Sequence, residues 1–236
     1  MNVDLLYRPV STLARVRLQS GEQVLAEPGS MVGMTPNLKM ESGIGKSGAG
    51  SGGGLLGKLA GAASRMLTGE SFFQNTYTAQ GDGELLLAHT LPGDMELIEV
   101  PRHGLKMQST SFIASTMGVN MAAEFGGTRT FFGGEGMFVI SVTTSGEGEQ
   151  LLVGAFGGIQ EMQVDGSLVI DTGHLVAWDA NLNFNITSVS SGWIGSFLSG
   201  EGLVCSFQGQ GRVWIQTRQP NEYGTLVGRM LPPRTN

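Results

Sequence analysis

The residues in this chain that could do chemistry are few, and most of them sit beside glycine. Glu70, Glu135 and Glu201 each follow a glycine and recur at intervals of 65 and 66 residues. Carboxylates at equivalent points of a repeated unit can bind a metal ion or share a proton. A glutamate in the same place in three hairpins more simply accepts hydrogen bonds from turn amides or pairs with an arginine, so these three are expected to be structural. His89, His103 and His174 show no His-x-x-x-His or His-x-His spacing, and each stands beside a proline or glycine turn, which does not suit a metal site. Cys205 lies in the alternating run Leu203-Val204-Cys205-Ser206-Phe207, on the face of Leu203 and Phe207, as a buried and inert thiol does. Asp94, Asp165 and Asp171 read as turn residues, and Trp178, Trp193 and Trp214 as core or interface packing.

One stretch imitates a nucleotide loop. Gly43-Ile44-Gly45-Lys46-Ser47-Gly48 spells a dinucleotide fingerprint. Such a loop needs a hydrophobic strand before it and a helix N-terminus facing the phosphates; Lys39-Met40-Glu41-Ser42 is a poor strand end, and Met40 stands where the first glycine of a Walker loop belongs. The tract reads instead as a flexible linker. No convergent acid, base or nucleophile set emerges, so neither catalysis nor a cofactor or metal is expected.

What positions these residues is a repeat. Each Gly-Glu pair opens a strand-like run, SFFQNTYTA, GMFVISVTT and GLVCSFQ, and each run ends at a Gly-x-Gly turn, Gly81/Gly83, Gly146/Gly148 and Gly209/Gly211. A second apolar strand follows each time: ELLLAHT, EQLLVGA, RVWIQT. Upstream, the segments starting at Gly29, Ser111 and Gly173 align as further short strands, with Met31, Phe112 and Leu175 in register. The offset of 81 between Met31 and Phe112, against 63 between Phe112 and Leu175, exposes an insertion in the first copy. It consists of the glycine tract and LLGKLAGAASRML, whose Leu55, Leu59, Ala63 and Met66 recur at helical spacing. Elsewhere the pattern is β, as in residues 13–18, where Ala14, Val16 and Leu18 share one pleat face and both arginines the other.

Composition agrees. Thirty-eight glycines among 236 residues, far above the usual ~7% and without a three-residue period, exclude collagen and favour a turn-rich β protein. A net charge of -6 with only 14 Lys plus Arg offers no basic stripe for a phosphate backbone, so nucleic acid is not an expected partner. One cysteine and a start, MNVDLLYRPV, without a charged and then apolar leader predict a cytoplasmic setting.

Several segments together resemble the altered-inheritance-of-mitochondria protein twenty-four family. They are residues 29–34, 69–73, Leu91-Pro92-Gly93-Asp94, residues 132–136, Val164-Asp165, residues 171–178, Gly200-Glu201-Gly202 and Gln216-Thr217-Arg218. No one motif is specific, but their order and spacing are, from about Gln19 to Arg218. The resemblance, to the bacterial type of member, implies three tandem domains similar to the tryptophan RNA-binding attenuation protein, a short relative of the double-stranded β-helix, and chains that trimerise into a ring of nine units. It implies no reaction, and the acidic balance argues against carrying RNA binding over from the fold relative.

The expected architecture is therefore all-β: three tandem β-helix-like sandwiches at residues 1–90, 91–156 and 157–218, a tail at 219–236, and a short helical insertion within 43–67. Units of this size with few charges pack on one another, and the unpaired edges of the end copies predict a homotrimer. The expected role is a non-catalytic scaffold. The segment carrying Leu55, Leu56, Leu59, Met66 and Leu67 is the interaction element, packing inside the oligomer or touching a protein partner or a membrane surface. The alternative is a small-ligand binding protein with pockets between adjacent repeats.

Overall fold

The computed structural model describes residues 1–44, 73–124, 138–188 and 203–232. The chain is all-β, and the described residues include one α-helix, near the C-terminus. A first group of strands comprises β1 (Asn2–Leu6), β2 (Leu13–Leu18), β3 (Gln23–Ala26), β4 (Met31–Met34), β5 (Leu38–Ile44), β6 (Phe73–Ala79) and β7 (Gly83–Ala88). A second comprises β8 (Met95–Glu99), β9 (Leu105–Gln108), β10 (Phe112–Ser115), β11 (Val119–Ala123), β12 (Val139–Thr144) and β13 (Gln150–Gly154). The third has four longer or equal pieces, β14 (Ile159–Asp171), β15 (Leu175–Asp179), β16 (Asn183–Ser188) and β17 (Leu203–Gln216), followed by helix α1 (Pro220–Met230).

One antiparallel pairing scheme occurs in all three groups. In the first, β7 lies between β2 and β4, while β6 lies between β3 and β5. In the second, β13 lies between β8 and β10, and β12 between β9 and β11. In the third, β17 does both jobs: residues 210–216 pair with the start of β14 and with β15, and residues 203–208 with the end of β14 and with β16. The Gly209/Gly211 segment is thus not the turn that the sequence suggests. Gly166 and Gly209 face each other across the ladder at φ +99° and +121°, so two residues without Cβ atoms bend both strands without breaking them.

A polar clip also recurs. Thr35 Oγ1 accepts the Glu84 amide at 3.1 Å, Thr116 Oγ1 the Gln150 amide at 2.9 Å, and Asp179 Oδ2 the Arg212 amide at 2.8 Å. The clips tie the residue after β4 to the start of β7, the residue after β10 to the start of β13, and the last residue of β15 to the middle of β17. Residues 39–42, a poor strand by composition, belong to β5 because β6 supplies a complete partner, from Leu38 opposite Ala79 to Ile44 opposite Phe73. Gly43 therefore lies in an antiparallel ladder and not in a turn that leads to a helix. The proposed helical insertion lies outside the described residues.

The core is divided into three clusters, and each draws on two neighbouring groups, the third through Val139 of β12. The first, built on Val16, Val24, Tyr77 and Leu87, is closed by Ile113 and Ala114 from β10. The second, built on Leu105, Met107, Ile140 and Val153, is closed by Val176 and Ala177 from β15. The third collects Ile170, Leu175, Trp178, Cys205, Phe207 and Val213, and among the described residues no strand of a following group closes it. Two backbone bridges express the same relation, β3 with β10 and β9 with β15.

Asp94, expected in a turn, turns out to be a buried anchor. It accepts hydrogen bonds from Arg8 Nε at 2.8 Å and Nη2 at 2.9 Å, from Thr12 Oγ1 at 2.8 Å and from the Met95 amide at 2.9 Å, tying the loop after β1 to the linker between the first two groups. Beside it, Gly93 runs so close to Ala155 and Gly157 that a Cβ would meet backbone at 2.0 Å. Burial works against the Asp94 charge, but the donors outweigh it and hold the carboxyl below its usual value. A carboxylate of this kind stabilises the fold above its unfolded pKa and loses that contribution as pH falls through the folded one. Arg8→Ala, measured at fixed protein concentration by denaturant unfolding, is expected to cost about 2 kcal/mol at neutral pH, the penalty for a buried charge with its partner removed. That difference should shrink as pH drops below about 4, where Asp94 protonates in both proteins.

Candidate assembly interface

Two strand edges distinguish the ends of the chain from its middle. β10 pairs on both sides, with β13 and β3, and β15 likewise with β17 and β9. Their counterpart β4 pairs with β7 alone among the described residues and ends its sheet. Conversely, β3 and β9 each carry a strand from the following group, whereas residues 167–171 of β14, their counterpart, pair only with β17. The chain thus ends in two complementary halves of a junction that it makes twice internally.

Exposure follows the same logic. Val32 is 58% exposed, whereas Ile113 and Val176, which occupy its place in β10 and β15, are fully buried at 0%. Met31 and Met34 on β4, and Met40 on β5, are exposed as well. On the other edge Val169 is 61% exposed. Its counterpart in the second group is Lys106, whose ammonium lies 4.9 Å over the Phe184 ring of the third group. Those five hydrophobic side chains lie on or beside the two open edges, and burying each is worth about 1 kcal/mol.

The internal junctions also show which polar groups cross from one group to the next. Gln108 Nε2 donates to the Thr172 carbonyl at 2.9 Å, and His103 Nε2 lies 3.3 Å from Asp179 Oδ1. Asp179 is buried and is also held by Arg212 Nε and Nη2 at 3.1 and 3.0 Å; burial opposes its charge, and those donors still keep its carboxyl below the usual range. In the first group Glu27 takes the place of Gln108. Burial pushes its carboxyl up to about 7. At the open edge the same place belongs to Asp171, which accepts the Gly173 amide at 2.7 Å.

The residues singled out from sequence fall largely elsewhere. Leu55, Leu56, Leu59, Met66, Leu67, Glu70, Glu135, Glu201 and Trp193 lie outside the described residues. The segments that carry them leave and re-enter three equivalent hairpins, at Ile44 opposite Phe73, Ala123 opposite Ile140, and Ser188 opposite Leu203. The histidines are dispersed. His89 has a carbonyl at each ring nitrogen, Leu91 at 3.2 Å and Thr110 at 3.0 Å, and burial lowers its pKa; His174 Nδ1 faces the Gln216 carbonyl at 2.7 Å. Among the described residues no three His, Cys, Asp or Glu side chains gather as metal ligands. Cys205 is buried, its thiol pushed up to about 12. Trp178 and Trp214 are both core residues, and Trp178 meets Phe184 and Phe207 edge-on at 5.3 and 5.8 Å. Among the described residues no helix is long and apolar enough to cross a membrane. Sequence reasoning missed α1, although Pro220 at its start, Glu222 in its first turn and Arg229 in its last are ordinary helix signals.

Fold and edges together define an all-β chain in which one strand-pairing scheme is used three times in tandem. The chain belongs to the AIM24 family, described as mitochondrial biogenesis AIM24, whose model matches residues 3–218. It is 34% identical over 228 residues to an uncharacterized protein of Streptococcus pyogenes serotype M6, covering 95% of this chain and 88% of that one. It is also similar to the crystal structure of protein SPYM3_0169 from Streptococcus pyogenes, with a TM-score of 0.77 at 28% identity over 98% of this chain and 99% of the other.

Glu27 supplies a test of the junction chemistry. A carboxyl with a raised folded pKa stabilises the fold fully below its unfolded value, near 4.5, and loses that contribution as pH rises toward about 7. Glu27→Gln, which installs the side chain found at Gln108, is expected to match the parent in thermal unfolding at about pH 4 and to exceed it by about 1 kcal/mol at about pH 8. Equal stability at both pH values would show that Glu27 is solvated and not part of the junction.

Proposed function

We propose that this chain is a non-catalytic scaffold that closes with two further copies into a ring, β4 of each copy pairing with the free edge of β14 in the next. The observation that carries this reading is the third core cluster. Ile113 and Ala114 close the first cluster and Val176 and Ala177 the second, while Val32 and Gly33, which hold the same positions in β4, lie at an open edge. A head-to-tail contact of this kind uses different surfaces on its two sides, so it ends in a closed ring or an open filament. The kinship with ring-forming attenuation-protein domains that the family resemblance implies favours closure at three copies and nine units.

The internal junctions also fix the register. Ala114 faces Ala26 and Ser115 faces Leu25; Ala177 faces Met107 and Trp178 faces Lys106. In the proposed ring the same register sets Gly33 opposite Ile170 and Met34 opposite Val169 of the next copy. The segment within residues 43–67, with Leu55, Leu56, Leu59, Met66 and Leu67, is then repeated three times around the ring and serves as the element that holds a protein partner or a membrane surface. A net charge of -6 speaks against nucleic acid as that partner, and a buried single thiol suits a reducing, cytoplasmic setting.

Light scattering is expected to give about three times the 24.8 kDa chain mass. Met34→Lys and Val169→Glu should each reduce the particle to a folded monomer, since a lone charge buried on a strand pair costs several kcal/mol. Combining the two puts opposite charges face to face and should restore the trimer at least in part. A parent protein that scatters as a monodisperse monomer, or a double variant no better than the single ones, sinks the ring or its register respectively.

A further inference from the structure

We propose that α1 is a clasp that lays its apolar stripe over the turn at residues 7–11 of the next copy, locking the ring from outside the strand ladder. The proposal rests on the ring reading above and extends it to a second contact at the same junction.

Among the described residues, little in its own chain holds helix α1 beyond its first turn. It has 11 residues and none of them is buried. A helix this short is marginal in water, and Gly224 and Gly228 in its middle weaken it further, by about 1 kcal/mol each relative to alanine. A Cβ added at either glycine meets nothing within 4 Å. Its anchorage lies at its first turn, where Gln219 Oε1 accepts the Glu222 amide at 3.2 Å and Tyr223 meets Phe156 edge-on at 5.1 Å. Beyond that point Leu226, Met230 and the following Leu231 are exposed, on a helix whose charged residues are Glu222 and Arg229.

Among the described residues, the exposed large hydrophobics fall into three places: the two sheet edges with Met40 beside them, α1 and the residue after it (Tyr223, Leu226, Met230 and Leu231), and Tyr7 with Val10 in the turn between β1 and β2. Internal symmetry brings the last two together. Residues 89–94 join β7 to β8, and residues 155–158 join β13 to β14, so the last strand of each group ends close to the first strand of the next. In the ring, Gln216 at the end of β17 stands toward Leu13 of the next copy as Ala88 stands toward Met95 and Gly154 toward Ile159. The start of α1 at Pro220 then falls where the neighbour's Thr12 arrives, immediately after the turn that carries Tyr7 and Val10. A second relation converges on the same spot. Gln108 reaches the turn at Thr172 across an internal junction, so Asp171, its counterpart, faces the neighbour's Pro28-Gly29-Ser30 turn. Gln219 Nε2, one residue before the helix, lies 3.4 Å from Asp171 Oδ1. Both relations put the helix at the inter-copy junction and not on the outer rim, which favours a second copy over a membrane or an unrelated protein as its occupant.

The test compares the full chain with Leu226→Asp/Met230→Asp, with Val10→Ala, which removes the contact without adding a like charge, and with all three changes together, by light scattering across a dilution series. The expected result is that each variant still reaches the trimer mass at high concentration but dissociates at a concentration at least ~10-fold higher than the parent, the effect of exposing two side chains that burial had stabilised. The triple variant should be no worse than the worse of the two, as for groups that touch each other. A parent trimer whose dissociation is unmoved by these changes, or whose losses simply add, overturns the clasp and leaves the ring standing. A monomeric parent overturns both. Sedimentation with vesicles of phosphatidylcholine and phosphatidylglycerol in equal parts closes the last route: binding by the parent trimer that Leu226→Asp/Met230→Asp abolishes assigns the helix to a lipid surface and overturns the clasp.

Discussion

A strand that pairs on one side leaves a row of amides and carbonyls on the other, and everything unusual about this chain follows from how it handles that constraint. Three groups of strands each have a place to receive a neighbour, on β4, β10 and β15, and a place to be received, on β3, β9 and the end of β14. Two of the three junctions are made inside the chain, by β3 with β10 and by β9 with β15. Each of them also closes a hydrophobic cluster, so backbone pairing and side-chain burial are satisfied by the same few residues. The third junction is left in two halves.

Covalent continuity does its part where repetition alone is insufficient. Asp94, bound by Arg8, Thr12 and the Met95 amide, fastens the entry to the first group onto the linker that leads into the second. Gly93 and Gly157 form a parallel bridge where the two linkers run side by side. In the third group the hairpin turns disappear, and Gly166 opposite Gly209 lets two long strands pass from one half of the scheme to the other. Glycine abundance therefore has more than one origin here: tight turns, close backbone approach, and bends within continuous strands.

Much of this was legible in the sequence. The Gly-x-Gly pairs at 81/83 and 146/148 marked the turns before β7 and β13, and the alignment of Met31, Phe112 and Leu175 matched their common register against β7, β13 and β17. The alternation at Ala14, Val16 and Leu18 marked a buried face correctly. Three things were not legible, for physical reasons. Composition judged residues 39–42 a poor strand because it cannot see the partner that β6 provides. Gly-x-Gly at 209–211 read as a turn because local sequence does not reveal that another glycine stands across the ladder. Asp94 read as a turn residue because its partner Arg8 is distant in the chain. The candidate site was less accessible still, since an open edge is defined by what is absent beside it, and Glu70, Glu135 and Glu201, which the sequence marks as structural carboxylates, lie outside the described residues.

The choice of side chains at the edges argues for a filled third junction more strongly than the geometry alone. Soluble proteins guard exposed strands with lysine, proline or other charged residues, which deter a second chain from adding on. This chain does the reverse. At the place shared by Leu25, Lys106 and Val169, the lysine stands on β9, which β15 covers, and the valine stands on β14, on an edge that no other described strand covers. On β4 the run Met31-Val32-Gly33-Met34 carries no charge at all. A strand edge that bears its apolar residues where it is open, and its one lysine where it is closed, is under pressure to attract a neighbour and not to repel one. On the proposed reading, another copy of the same chain supplies an edge of matching spacing, register and hydrophobic character.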